Sequence, residues 1–225
     1  MSAWLEGFIQ WGSVARELAV IGLLATGALI VLVRDWRVTI LALLSQYVLA
    51  GLILSRLVLP EIALIKVLVG ALICPMLYLA ARQSGWSLSS LAGAAAPAFR
   101  AGHADGAEDD VFRASLPFRL LAVVLAFLVT IVLNQAQPPP AIPPDVGLGS
   151  YWLMVVGVLV LILTEAPLKA GPGLLTALTG FDLIYTPLER SLVMVLLLAV
   201  IDLLLTLAVT YLAVVRGMRT LEGER

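Results

Sequence analysis

Three ionisable side chains, Lys66, Asp182 and Asp202, each lie inside a long apolar stretch of the chain. Charges are expensive in such surroundings and are kept where they pair with one another or serve a pathway for ions or protons. Desolvation and a neighbouring opposite charge act in opposite senses on proton affinity, so an amine and carboxylates in apolar helices have the tuning that a proton relay needs. Catalytic chemistry of other kinds has almost no inventory. The chain has one histidine, His103, and one cysteine, Cys74, with no HExxH, GxSxG, CxxC or GxxxxGK[ST] motif, so we expect no catalytic residue, no metal site and no cofactor site.

The neighbours of each charge repeat at helical spacing. Asp182 has Thr179, Thr186 and Glu189 at offsets of minus three, plus four and plus seven, a single polar stripe. Asp202 has Ala199, Thr206 and Thr210 at minus three, plus four and plus eight. Lys66 shares its face with Ala63, Gly70 and Cys74, small residues suited to close helix packing. It lies six residues beyond Pro60, roughly 9 Å along a helix. The bland alternative is that it snorkels past Glu61 to the interface. Asp182 and Asp202 flank the short Pro187–Ser191 connection at about six and twelve residues. That difference predicts an offset of roughly 9 Å, hence successive proton stations bridged by water or a partner's side chain, not a shared pair.

The secondary polar positions are Gln46, Glu165, Lys169 and Glu189. Gln46, at mid-span, fits an interhelical hydrogen bond. Glu165 with Lys169, and Glu189 with Arg190, fit ion pairs or orientation signals at a membrane boundary. Trp36, Trp86 and Trp152 fit interfacial positions.

The elements that must hold these residues follow from composition. Of 225 residues, 61% are hydrophobic and 13% charged, and the mean hydropathy is +1.05. Too few polar side chains remain to cover a surface in water, so the expected solvent is a lipid bilayer. A net charge of −1 gives no footprint for nucleic acid. Seven windows approach the roughly 20 residues that span a bilayer: Leu18–Val33, Val38–Leu59, Glu61–Ala81, Pro117–Asn134, Tyr151–Thr164 with flanks, Pro172–Leu188 and Ser191–Val215. With seven spans, ten Lys and Arg residues fall on one side and Arg16, Arg56 and Arg190 on the other. The expectation is an all-α, polytopic transmembrane bundle of about seven spans, amino terminus outside and carboxy terminus inside.

The division expected along the chain is a first part, 1–83, with an N-terminal interfacial segment and three spans. A flexible acidic cytoplasmic loop, 84–116, contains His103, Glu108, Asp109 and Asp110. A lone fourth span, 117–134, leads to a Pro-rich outer loop, 135–148, read as extended polyproline geometry. The last part, 149–225, holds three spans and a short cytoplasmic tail. Residues 1–16 lack an early basic region and are expected to be retained, as an interfacial helix or the outer end of the first span.

The front stretch, Ser45-Gln46 through Pro60-Glu61, then Ala63-Leu64-Ile65-Lys66-Val67 and Tyr78-Leu79-Ala80-Ala81-Arg82, resembles the membrane component E of hydrogenase-4-type complexes. The rear stretch, Leu174–Arg216, resembles that component and the small K subunit of complex I, which is related to the C subunit of Mrp-type sodium/proton antiporters. Gly180-Phe181-Asp182 is similar to the Gly-hydrophobic-Glu motif of the K subunit, with aspartate for glutamate, and Asp202 corresponds to its second carboxylate. The chain is far longer than a K subunit. The resemblance implies an accessory membrane subunit of a proton- or sodium-translocating assembly, in a bacterial plasma membrane, beside antiporter-like and other membrane subunits. Lys66, Asp182 and Asp202 would be its proton pathway. The rivals are a stand-alone secondary ion transporter and a purely structural membrane subunit.

Overall fold

The computed structural model describes residues 2–33, 35–58, 60–83, 116–140, 142–164, 167–189 and 191–222, with side chains described for 16–82, 117–164, 170–189 and 191–215 within these ranges. Among the described residues there are seven helices and no strand. They are α1 (Ser2–Leu32), α2 (Trp36–Leu57), α3 (Pro60–Gln83), α4 (Leu116–Ala136), α5 (Pro144–Leu163), α6 (Pro167–Leu188) and α7 (Leu192–Glu222). Five of them, α2, α3, α4, α5 and α7, are long and apolar enough to cross a membrane. The exposed side chains of α4 and α7 are mostly Leu, Val and Ile, with Phe127 and Tyr211 among them, a surface suited to solvation by lipid.

Boundaries depart from the sequence reading in informative places. The segment 135–148 is not an extended polyproline spacer throughout: α4 continues to Ala136 and α5 begins at Pro144, leaving 137–143 between them. Proline is compatible with the first helical position, where its missing N–H has no partner to lose, and Asp145 adds an acidic residue to the first turn. The fifth window therefore starts a helix seven residues earlier than expected. This moves Trp152 from the interface into the core: it is 2% exposed, donates Nε1–H to the Leu24 carbonyl at 3.1 Å and meets Phe127 edge-on. Likewise α6 begins at Pro167, with Pro172 inside the helix. Residues 2–16 continue into α1 as one helix. The loop expected at 84–116, with His103 and Trp86, lies outside the described residues except for Leu116, which starts α4.

The helices pack as two layers of three. One layer is α1, α2 and α3 and the other is α5, α6 and α7, with each helix also meeting its counterpart: α1 on α5, α2 on α6 and α3 on α7. The counterparts run parallel. Along α1, Arg16 meets Asp145 and Leu24 meets Trp152, so both helices advance together. Gln46 of α2 similarly meets Thr176 of α6, and Leu54 lies in one crevice with Thr186 further along the same two helices. Three antiparallel crossings leave the chain at the opposite end from where it began. A parallel second trio therefore needs one additional crossing, and α4, which packs on α5 and α1 at the edge, supplies it.

Glycines set the distance between the layers' helices. A Cβ on Gly157 would lie 2.5 Å from both the Ala177 nitrogen and the Gly173 oxygen, so α5 and α6 touch backbone to backbone there. Across α2 and α3, a Cβ on Gly70 would fall on the Tyr47 side chain.

Candidate functional site

Two of the three charges, Lys66 and Asp182, sit on helices that these close contacts hold, α3 and α6. Gly180 presses α6 against α5, where a Cβ would be 2.6 Å from the Ser150 oxygen and 2.8 Å from the Met154 nitrogen. Two residues on, roughly 200° around the helix, Asp182 faces away from α5 and into the bundle. Gly70, on the Lys66 face as the sequence predicts, admits the Tyr47 ring between α2 and α3. Ala63 and Cys74 on that face are also buried.

These placements gather one cluster. Lys66 is 6% exposed, Asp182 3% and Asp202 1%. The Lys66 ammonium donates to Oδ2 of Asp182 and, at 2.8 Å, to Oδ2 of Asp202. Tyr47 completes the surroundings: its hydroxyl donates to Oδ2 of Asp202 at 3.4 Å, and the ammonium lies 5.0 Å from its ring centroid, within cation–π range. The Asp202 carbonyl accepts from Thr206 and the Leu175 carbonyl from Thr179, both one turn away along their own helices.

The arrangement decides between the two readings of Lys66 and corrects one expectation about the aspartates. The Lys66 side chain is buried between helices and does not snorkel toward Glu61, which is exposed. The two aspartates are not spaced stations needing a water or another subunit's side chain between them, because one ammonium reaches both. The offset counted along the helix axes is taken up by the side chains: a lysine spans about 6 Å from Cα to Nζ and approaches from a third helix. α3 packs closely on α2 and α7, so the lysine's length carries its charge across to α6.

Gln46 is fully buried and accepts a hydrogen bond from Thr176 across α2 and α6 at 3.1 Å, while its Nε2 has no hydrogen-bond partner. It is not in the cluster. Glu189 is exposed just beyond α6. Glu165, the Lys169 side chain and Arg190 lie outside the described residues. An ion pair that the sequence reading missed joins Arg16 Nε to Asp145 Oδ2 at 2.7 Å, with the side chains 35% and 29% exposed. Tyr47 was also missed. Its signal was a tyrosine beside Gln46 in mid-span with a glycine on the facing helix, but only the packing of α2 on α3 shows that the two meet.

Chemically, the cluster contains two acids and one base. With the amine protonated and both carboxyls ionised it carries one negative charge; one further proton makes it neutral. In a low-dielectric interior that difference is large, so the cluster is suited to hold or release a single proton. Oδ1 of Asp182 is buried and has no hydrogen-bond partner, an acceptor left open in an otherwise paired site. Among the described residues no group of three or more His, Cys, Asp or Glu comes together to hold a metal ion. Comparison of the chain with family models, with curated proteins and with solved structures finds no match in any of the three.

Proposed function

We propose that this chain is an accessory integral-membrane subunit of a proton-translocating assembly, in which Lys66, Asp182 and Asp202 act together as one intramembrane proton-holding site. The observation that carries the reading is the buried Lys66 ammonium bonded to both carboxylates. Intramembrane charges are rare and costly, and two acids against one base leave the cluster one proton short of neutrality. The resemblance to hydrogenase-4 component E and to the complex I K subunit supports the same reading and suggests antiporter-like partners and a bacterial plasma membrane. On this reading all seven helices span, with the turns between α2 and α3 and between α6 and α7 on the outer side, as the Lys and Arg distribution favours.

The experiment is Asp202→Asn in the native membrane. The variant keeps a side chain that can accept from Lys66 but fixes the proton count. Assembly, read by native mass spectrometry of the gently solubilised protein, is expected to persist, with proton translocation across vesicles down by about tenfold or more. Unchanged translocation would sink the relay role. Recovery of the wild-type protein without large membrane partners would sink the accessory-subunit role.

A purely structural role is the second reading. It is favoured by the pairing of the ammonium with both carboxylates and with the Tyr47 ring, an arrangement that also fixes the positions of α2, α3, α6 and α7. The same Asp202→Asn variant separates the two, because helix register needs a hydrogen-bonding group and proton transfer needs a titratable one.

A further inference from the structure

A small crevice, with room for about one water molecule, opens onto the charged cluster and is lined by Lys66 and Asp182 together with Leu54, Ile62, Thr186, Val195 and Ala199. Its position is asymmetric. Leu54 is three residues from the end of α2, Ile62 two from the start of α3, Thr186 two from the end of α6 and Val195 three from the start of α7. All four lie within one helical turn of the bundle end that carries the α2–α3 and α6–α7 turns. Toward the opposite end the cluster meets Leu43, Tyr47, Ile73 and Leu175, all 0% exposed and packed in one apolar cluster.

We infer that this crevice is a water site giving Asp182 one-sided access to solvent, from the end bearing those two turns, while the Leu43–Tyr47–Ile73–Leu175 plug closes the other end. Asp182 lines the crevice, is 3% exposed, and has an Oδ1 without a hydrogen-bond partner. A buried water takes two to four polar partners. Here the Asp182 carboxylate, which lines the crevice, is one acceptor, and the Thr186 hydroxyl, one turn further along α6, is a second group. A proton arriving on that water passes to the Asp182 carboxylate and leaves a neutral water behind; no electrons move. Use of the crevice as a proton path rests on the function proposed above, whereas the sidedness of access does not.

Accessibility is therefore measured directly, without an activity assay. In a Cys74→Ser background, Ala199→Cys places a thiol in the crevice, Leu175→Cys one in the plug, and Glu189→Cys marks the face bearing the α6–α7 turn. Each full-length variant is treated with silver ion, a thiol reagent of about water's size, in sealed vesicles of either orientation, and thiol loss is followed by mass spectrometry. Ala199→Cys is expected to react from the face that labels Glu189→Cys, at least about tenfold faster than Leu175→Cys, and not from the other face. Equal rates at the two positions, or reaction of Ala199→Cys from the opposite face, would overturn the inference. Should a cysteine variant fail to fold, hydroxyl-radical footprinting of the unaltered protein reads the same property: Ile62 and Leu198 beside the crevice oxidise faster than Leu43 and Ile73, and the reverse order refutes one-sided access. One-sided access with normal translocation in Asp202→Asn would preserve this inference while removing the proton-relay reading.

Discussion

Lys66 and Asp202 are 136 positions apart in the chain, and the ammonium of one lies 2.8 Å from the carboxylate of the other. That contact ties α3 to α7, a helix of one three-helix layer to its parallel counterpart in the other. Asp182 adds α6 through the same nitrogen, and Tyr47 adds α2. Four of the seven described helices are thus joined at one charged point, so changes in its charge balance act on the packing as well as on the proton count.

Removing the lysine should be the most damaging single change in this cluster. Lys66→Met leaves two buried carboxylates facing each other without a counter-ion, a type of loss that costs about 3–5 kcal/mol. Adding Asp202→Asn to that variant removes one of the stranded acids. The double variant is expected to melt at a higher temperature than Lys66→Met alone, in a double-mutant cycle read by thermal unfolding in detergent. Additive losses would mean that the two residues are not coupled.

The contact of α5 with α6 gives a prediction that does not depend on function. Gly157→Ala must push apart two backbones already in contact, since its Cβ would be 2.5 Å from the Ala177 nitrogen and the Gly173 oxygen. A loss of about 1–3 kcal/mol is expected. Gly149→Ala is the control, because its Cβ would meet only Val20 and Leu23 side chains at 3.6 and 3.8 Å, ordinary contact distances. Helix propensity then makes that change neutral or stabilising by up to about 1 kcal/mol. Melting temperatures of the two variants should move in different directions or by clearly different amounts.

Gln46→Leu should be tolerated. It removes the acceptor used by Thr176, but it also removes an Nε2 group that is buried without a partner. The expected cost is below about 1 kcal/mol, with translocation unchanged, because Gln46 lies outside the charged cluster. A translocation loss comparable to that of Asp202→Asn would extend the proton site along α2 to Gln46.

The Arg16–Asp145 pair should contribute little, despite its 2.7 Å geometry, because both partners are about one-third exposed. Arg16→Ala and Asp145→Ala are each expected to cost less than about 1 kcal/mol, and less still in high salt. A salt-independent loss larger than that would show that the pair is shielded from water.

Much of the architecture was legible in one dimension. Hydropathy located the seven described helices, five of them long and apolar enough to cross a membrane, because a helix solvated by lipid must be apolar over most of its length, a property of composition that survives any arrangement of neighbours. The same logic singled out Lys66, Asp182 and Asp202, since a charge within such a stretch stands out before anything is known of its partners. Helical spacing also gave their faces correctly, with Gly70 beside Lys66 and Thr186 beside Asp182. What spacing along single helices could not give was distance between helices. It placed the two aspartates at different depths, and it could not foresee that a four-carbon side chain from α3 would bridge them, that Gly180 and Gly157 would draw α6 onto α5, or that Trp152 would be buried once α5 began at Pro144. The lysine bridge and the burial of Trp152 depend on contacts between residues more than a hundred positions apart, and the α5–α6 contact on residues 16 to 30 apart on different helices. Only the packing of the two layers decides which side chains arrive at the same point, and so turns three separate buried charges into one site.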